Sequence, residues 1–180
     1  MKEKKNTLGI LVVLLSSLCF AIVPSSAKTS LDFGSSLFIL LFSRCLIGLV
    51  LLLPILFFQK ESVFIKKNFI LPLLFSSFIS LSLIAAVYHA IEYINIALGM
   101  TIVYAFPIGI ALITSIRGEE KYSLKEWLSI LTVILGLFIL VYDEMFTGSL
   151  YGIVVCIISF ILMTTFVYTS SKLADSLGSI

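Results

Sequence analysis

The chain has 180 residues, of which 60% are apolar and 12% charged, with a formal net charge of +2 and a mean hydropathy of +1.18. This composition excludes a soluble globular domain, because one core of this size cannot bury so many apolar side chains. It also excludes a disordered chain, and the small net charge gives no sign of a nucleic-acid-binding surface. The remaining class is a polytopic membrane protein, whose first partner is the lipid bilayer.

Six apolar segments are candidates for membrane-crossing helices, each of which needs about 20 mostly apolar residues. In chain order they are Leu8–Ala27, Leu37–Phe58, Phe69–Ala90, Ala97–Ile116, Trp127–Tyr142 and Leu150–Ser170. The fifth is short, but Ser123 and Glu126 have capping-box spacing and predict a helix that starts at Leu124. Short linkers make neighbouring spans antiparallel. The predicted fold class is therefore all-α, a polytopic transmembrane helix bundle.

Lysine and arginine are unevenly distributed between the linkers. With the N-terminus inside, the inner segments hold ten of the twelve basic residues, the outer loops hold Lys28 alone, and Arg44 lies within the second span. Because basic residues are retained on the cytoplasmic side, we predict a multi-pass protein of the cell (inner) membrane with both termini cytoplasmic. The ten inner residues are Lys2, Lys4, Lys5, Lys60, Lys66, Lys67, Arg117, Lys121, Lys125 and Lys172.

No catalytic or metal-binding motif is present in the sequence. The three cysteines are isolated in apolar segments, and the single histidine, His89, cannot form a metal site by itself. There is no Gly-rich phosphate loop or hydrolase motif, and no Asp or Glu lies in mid-span. We therefore predict no enzymatic activity, no metal, no cofactor and no nucleic-acid partner.

The first and sixth spans resemble each other at an offset of 143 residues. Leu8–Val12 (LGILV) reads like Tyr151–Val155 (YGIVV), and Ser16 then matches Ser159. The two spans cross the membrane in opposite directions in the topology above. Five spans followed by a copy of the first would begin an inverted repeat, which is a transporter architecture. The chain would then divide into a five-helix unit at 8–142 and the first helix of an incomplete second unit at 148–180.

A set of residues distributed over the first five spans follows a family pattern. They are Lys28, Arg44, Tyr88–Tyr93 (YHAIEY), Ala97, Pro107, Gly118–Leu124 (GEEKYSL), Trp127 and Gly136. In their order and spacing they resemble the EamA-type domain of the drug/metabolite transporter superfamily, although Ser129 stands where that family often has glycine. The resemblance implies a ten-helix carrier of two inverted five-helix halves. It also implies that the family's Glu-Arg pair corresponds to Glu120–Lys121.

On this basis we predict a transporter of small organic solutes, such as metabolites, amino acids or drugs, that works by alternating access. The alternative is a truncated, non-transporting membrane subunit or remnant that needs a partner half. The chain would then act as a homodimer or with a complementary half. In either case the sixth span is expected to show lipid a face that includes Ser159, Thr164 and Thr165.

The candidate site residues are of two kinds. The candidates for substrate binding are Arg44, Tyr88, His89, Tyr104 and Pro107, and the candidates for gating or charge pairing are Lys28 and Glu92. A basic residue within a span costs about 2.5–3.5 kcal/mol on insertion scales. For Arg44 the structural alternatives are an ion pair with Glu92 or Asp32, or extension of the side chain to the interface.

The fourth span also carries a regular pattern of small residues. Ala97, Thr101, Ala105 and Gly109 recur at intervals of four, so that another helix could approach closely. We therefore predict a helix-packing seam along this stripe.

Overall fold

The computed structural model describes residues 2–59, 67–120, 122–147 and 149–178. These residues form seven helices and no strand, which confirms the all-α class. The helices are α1 (Lys2–Asp32), α2 (Leu37–Gln59), α3 (Lys67–Ala90), α4 (Ile96–Tyr104), α5 (Phe106–Ile116), α6 (Leu124–Thr147) and α7 (Leu150–Gly178). Lys60, Lys66 and Lys121, which belong to the predicted basic bias, lie outside the described residues.

Within the described residues, five segments are long and apolar enough to cross a membrane, and they match five of the six predicted spans. They are Val13–Asp32, Leu37–Pro54, Phe69–Ala90, Ile96–Ile116 and Leu150–Ser176. The remaining predicted span, the fifth (Trp127–Tyr142), lies in α6, which is not among these five segments, and its crossing stays a prediction. The capping box before α6 is confirmed, because Ser123 N–H donates to Glu126 Oε2 at 2.6 Å.

The fourth predicted span consists of two helices, α4 and α5, that meet at Ala105. Asn95 caps the start of α4, where its side chain accepts a hydrogen bond from Ala97 N–H at 2.9 Å. Pro107 lies in the first turn of α5, where its missing N–H leaves no intrahelical bond unmade. The proline therefore starts a new helix in mid-span instead of kinking one continuous helix.

Helix α7 is the central packing element of the described bundle. It runs antiparallel to α3 and packs most extensively against it, and it also contacts α4 and α5. At one end of the pair Gly152 lies against Tyr93 and Ile94. At the other end the hydroxyl oxygens of Ser76 and Ser170 are 3.1 Å apart.

The expectation that the sixth span would show a polar face to lipid is wrong. Ser159 is 0% exposed and Thr164 is 4% exposed, while Thr165 is half-buried. The physical reason is that glycines on the facing helices let α7 approach closely. A Cβ added at Gly109 would overlap Thr164, and one added at Gly99 would touch Cys156.

The predicted small-residue seam is correct for only part of its length. Ala105 and Gly109 are buried, but Ala97 and Thr101 are exposed. The interval of four assumes one continuous helix, and the break at Ala105 ends that continuity. On α4 the buried face is instead formed by Leu98, Gly99, Ile102 and Val103.

Candidate functional site

A cavity of about 80 Å³ lies where α1, α2, α3, α4 and α7 meet. Its lining is mostly apolar, with polar groups from three of the predicted site residues, Arg44, Tyr88 and Tyr104. The apolar residues are Phe20, Val23, Pro24, Leu83, Ile84, Val87, Met100, Val103 and Met163. The structure therefore brings together three residues that are up to 60 positions apart in the chain.

Arg44 is held in this cavity by a tyrosine on the next helix. Its Nη1 donates a hydrogen bond to the hydroxyl oxygen of Tyr88 at 2.7 Å, and Tyr88 is 4% exposed. Arg44 lies seven residues into α2, which corresponds to roughly 10 Å along the helix axis. The guanidinium group is thus anchored well inside the span.

Of the alternatives considered for Arg44, the ion pairs with Glu92 or Asp32 do not form. Asp32 pairs with Lys28 one helical turn earlier, at 3.5 Å. Glu92 lies 3.5 Å from His89 Nδ1. Both carboxylates are held by residues three or four positions away on their own segments, and such local pairs form with little loss of chain freedom.

A larger groove adjoins the cavity between α1 and α4, with a volume of about 650 Å³. The groove and the cavity share Phe20, Pro24, Met100 and Tyr104. The α1 wall of the groove is rich in small and hydroxyl-bearing residues, namely Ser16, Ser17, Ala21 and Ser25. A bound molecule could therefore place one end in the cavity and extend into the groove.

Pro107 lies apart from this cavity. It borders a separate cleft of about 420 Å³ between α5 and α6, together with Glu126, Ser129 and Ile130. Its role in the fold is to begin α5, as described above. The structure therefore does not group Pro107 with Arg44.

His89 and Glu92 belong to an aromatic cluster at the end of α3. His89 Nε2 is 3.1 Å from the hydroxyl oxygen of Tyr151. The rings of His89, Tyr93 and Tyr151 contact one another edge to face, with centroids 5.2–5.8 Å apart. This cluster joins α3, the turn before α4 and the start of α7. The sequence analysis named His89 and Glu92 as candidates but did not group Tyr93 and Tyr151 with them.

The opposite end of α7 carries a charged cluster that sequence reasoning missed. Glu119 accepts a hydrogen bond from the Tyr168 hydroxyl at 2.7 Å and pairs with Lys172 at 3.1 Å. The guanidinium carbon of Arg117 lies 5.2 Å from the centre of the Tyr168 ring. The Tyr168 hydrogen bond, followed by the contact with Lys172, lowers the pKa of the Glu119 carboxyl. Gly118, with φ +67°, makes the turn that brings Glu119 to α7.

Glu120 takes no part in that cluster, because it accepts a hydrogen bond from the Tyr122 hydroxyl at 2.7 Å. The acidic residue that contacts α7 is therefore Glu119, and Lys121 lies outside the described residues. One signal could have indicated Lys172, because it occupies nearly the same place in the sixth span as Lys28 in the first.

Comparison with known proteins identifies the family of the chain. The sequence model of the EamA-like transporter family matches residues 7–142, which is well over half of the chain. No curated protein and no solved structure was found to match. The matched segment contains most of α1, all of α2 to α5 and most of α6, and it includes Arg44, Tyr88 and Tyr104. The chain belongs to the EamA-like transporter family.

Proposed function

We propose that the protein transports small organic solutes across the cell (inner) membrane by alternating access. The observation that carries the proposal is the cavity around Arg44. It lies among the spans of a family of membrane transporters and contains a cation that the bilayer would otherwise disfavour. A charge is retained inside a span when the fold uses it. In a carrier, such a charge contacts either the solute or the protein groups that move when the site opens to the other side of the membrane.

We further propose that the complete carrier contains two inverted five-helix units, 8–142 forming the first and α7 beginning the second. The sequence match between α1 and α7 supports this division. At the offset of 143, the groove residues Ser16, Ser17 and Ala21 correspond to Ser159, Phe160 and Thr164 of α7. On α7 that face packs into the first unit, whereas on α1 it borders the open groove. In a two-unit carrier, α1 would pack against the second unit in the same way that α7 packs against the first unit.

The proposed orientation places both termini in the cytoplasm. It is supported by the grouping of Arg117 and Lys172 at one end of the bundle, opposite the aromatic cluster of His89 and Tyr151. The test is labelling of single cysteines in intact cells with a membrane-impermeant maleimide, after replacement of the three native cysteines. We expect Thr147→Cys to be labelled and Val63→Cys to be labelled only after lysis. The reverse pattern would overturn the orientation.

Transport itself is tested by solute flux. Membrane vesicles from cells that express the gene encoding this chain are assayed for saturable uptake and counterflow of labelled amino acids, monocarboxylates and cationic drugs. At matched expression we expect Arg44→Ala to reduce flux at least tenfold and Lys60→Ala to leave it near the unaltered level, because an intramembrane charge is retained only for a use within the fold. Equal flux in the two variants would refute a special role for Arg44, and the absence of saturable flux for every solute would refute transport.

A further inference from the structure

The charge of Arg44 is not neutralised within the described part of the chain. Its hydrogen-bond partner is the hydroxyl of Tyr88, and no carboxylate of the described residues lies within ion-pair distance. Asp32 and Glu92, the two acids first considered as partners, pair with Lys28 and His89. A guanidinium group that is only hydrogen-bonded to a neutral group in a membrane span remains electrostatically unsatisfied.

The cavity around Arg44 is suited to an oxyanion. Neither the cavity nor the adjoining groove has an acidic residue in its lining, so nothing there repels a negative charge. The guanidinium group has five N–H donors in a planar fork that matches the two oxygens of a carboxylate, and one of those donors is used by Tyr88. The Tyr88 hydroxyl accepts that bond through its oxygen and still has its own proton to donate.

The dimensions of the cavity limit the part of a ligand that fits there. At about 80 Å³ the cavity is well below the roughly 300–1,000 Å³ of a typical ligand pocket, so it holds a small group such as a carboxylate and not a whole solute. The rest of the ligand would extend past Phe20 and Met100 into the groove of about 650 Å³. Apart from the hydroxyl groups of serines on α1 and of Tyr104, those walls are apolar and contain no charged residue, so they favour an apolar body over a second charge.

From these observations we propose that the Arg44 cavity binds the carboxylate of a small apolar monocarboxylate, whose apolar body lies in the groove between α1 and α4. The inference rests on the proposed transport function and specifies its substrate class. Arg44 and Tyr88 bind the carboxylate oxygens, and Phe20, Met100 and Tyr104 contact the apolar body. Solutes of the same shape without the negative charge are rejected because they leave the guanidinium group unneutralised.

The test compares two probes of nearly equal shape, phenylacetate and phenylacetamide. Binding to the purified full chain in lipid-free maltoside micelles is measured by isothermal titration calorimetry. We expect phenylacetate to bind at least about tenfold more tightly, as is typical of a hydrogen bond to a charged group. Arg44→Gln should remove this preference, and Tyr88→Phe should weaken phenylacetate binding about two- to tenfold. Lys67→Gln, at the exposed start of α3, is the matched loss of one positive charge and should bind normally.

Equal affinity for the acid and the amide in the unaltered chain would overturn the proposal, and this comparison needs no variant that could fail to fold. Unchanged phenylacetate binding in Arg44→Gln would also overturn it. A lipid phosphate is the other source of an oxyanion, so the titration is repeated in phosphatidylcholine nanodiscs. Retained binding there supports a solute site, whereas binding that disappears in lipid assigns the site to a headgroup and overturns the proposal.

The outcome is separable from that of the flux assay. Selective phenylacetate binding without saturable flux would support the anion site and refute transport. Saturable flux of other solutes without acid-over-amide selectivity would leave transport standing and refute the monocarboxylate assignment.

Discussion

Helices α1 and α7 are alike in sequence but differ in their surroundings. Ile153 and Cys156 of α7 are 4% and 1% exposed, whereas their counterparts at the offset of 143, Ile10 and Val13 of α1, are 60% and 64% exposed. Ser159 is fully buried, and Ser16 is exposed. Whether a helix face of small and polar residues becomes a buried interface therefore depends on the residues of the helices that face it.

Glycines on the neighbouring helices let α7 pack closely against them. Gly99 on α4 faces Cys156, and Gly109 on α5 faces Thr164 and Phe160. In lipid there is little hydrophobic driving force between helices, so association depends on close packing and interhelical hydrogen bonds. Helix α1 meets α2, α3 and α4 less extensively, and its Ser16 face borders a groove instead of a packed partner.

The largest effect is expected from introducing a side chain at one of the glycines that face α7. Gly109→Leu should destabilise the bundle by about 1–3 kcal/mol or more, because any side chain there collides with Thr164 of α7. Gly136→Leu on α6 is the control, since nothing lies within 4 Å of a Cβ at that position. Thermal unfolding in micelles, followed by circular dichroism, measures both. Equal midpoints for the two variants would show that α7 does not depend on this contact.

A second pair of variants tests the two equivalent serines directly. Ser159→Leu should destabilise by about 1–3 kcal/mol, because a fully buried position cannot accept the extra volume without displacing α3, α4 or α5. Ser16→Leu should change the midpoint of the isolated chain little, because its side chain is exposed. If Ser16→Leu destabilised the chain as much as Ser159→Leu, the contrast between the two helices would be refuted.

The smallest effect concerns the charged cluster that holds the end of α7. Glu119→Gln removes the ion pair with Lys172 and should lower the unfolding midpoint slightly at pH 7. The pKa of Glu119 is lowered in the folded state, so its contribution is present above the ordinary carboxyl pKa and is lost as the pH falls through the lowered value.

The check is a set of unfolding midpoints from pH 7 to pH 3. The difference between the unaltered chain and Glu119→Gln should shrink as the pH falls below 4.5, the ordinary value for this carboxyl. Glu120→Gln is the control, because Glu120 contacts Tyr122 and not α7. A difference that stays constant with pH would mean that Glu119 stabilises the chain by something other than its charge.

The fold could largely be predicted from the sequence, because span length and hydropathy are properties of single segments. The capping box at Ser123 was also predictable, since it depends on residues within one turn. The break at Ala105 was not predicted, because the fourth span was expected to be one continuous helix. The burial of α7 could not be predicted. It depends on contacts with Gly99 and Gly109, which are about 55 positions away in the chain.

The structure groups some of the candidate site residues and separates others. Arg44, Tyr88 and Tyr104 were each singled out, and the structure places them around one cavity. Pro107, Lys28 and His89 were singled out by the same reasoning and lie elsewhere. Sequence reasoning names single candidate positions but not which of them meet, because that depends on the rotation of each helix about its axis.

The break between α4 and α5 has a mechanical consequence. Two short helices joined at Ala105 would bend easily if they stood alone, since α4 has 9 residues and α5 has 11. Helix α7 is continuous over 29 residues, and it contacts α4 at Gly99 and α5 at Gly109. It therefore spans the break between the two short helices and restrains their relative movement. Any bending at Ala105 must therefore slide or tilt α7 as well. The stiffness of the middle of the fourth span is thus set by the seventh helix, which lies beyond the end of the family match.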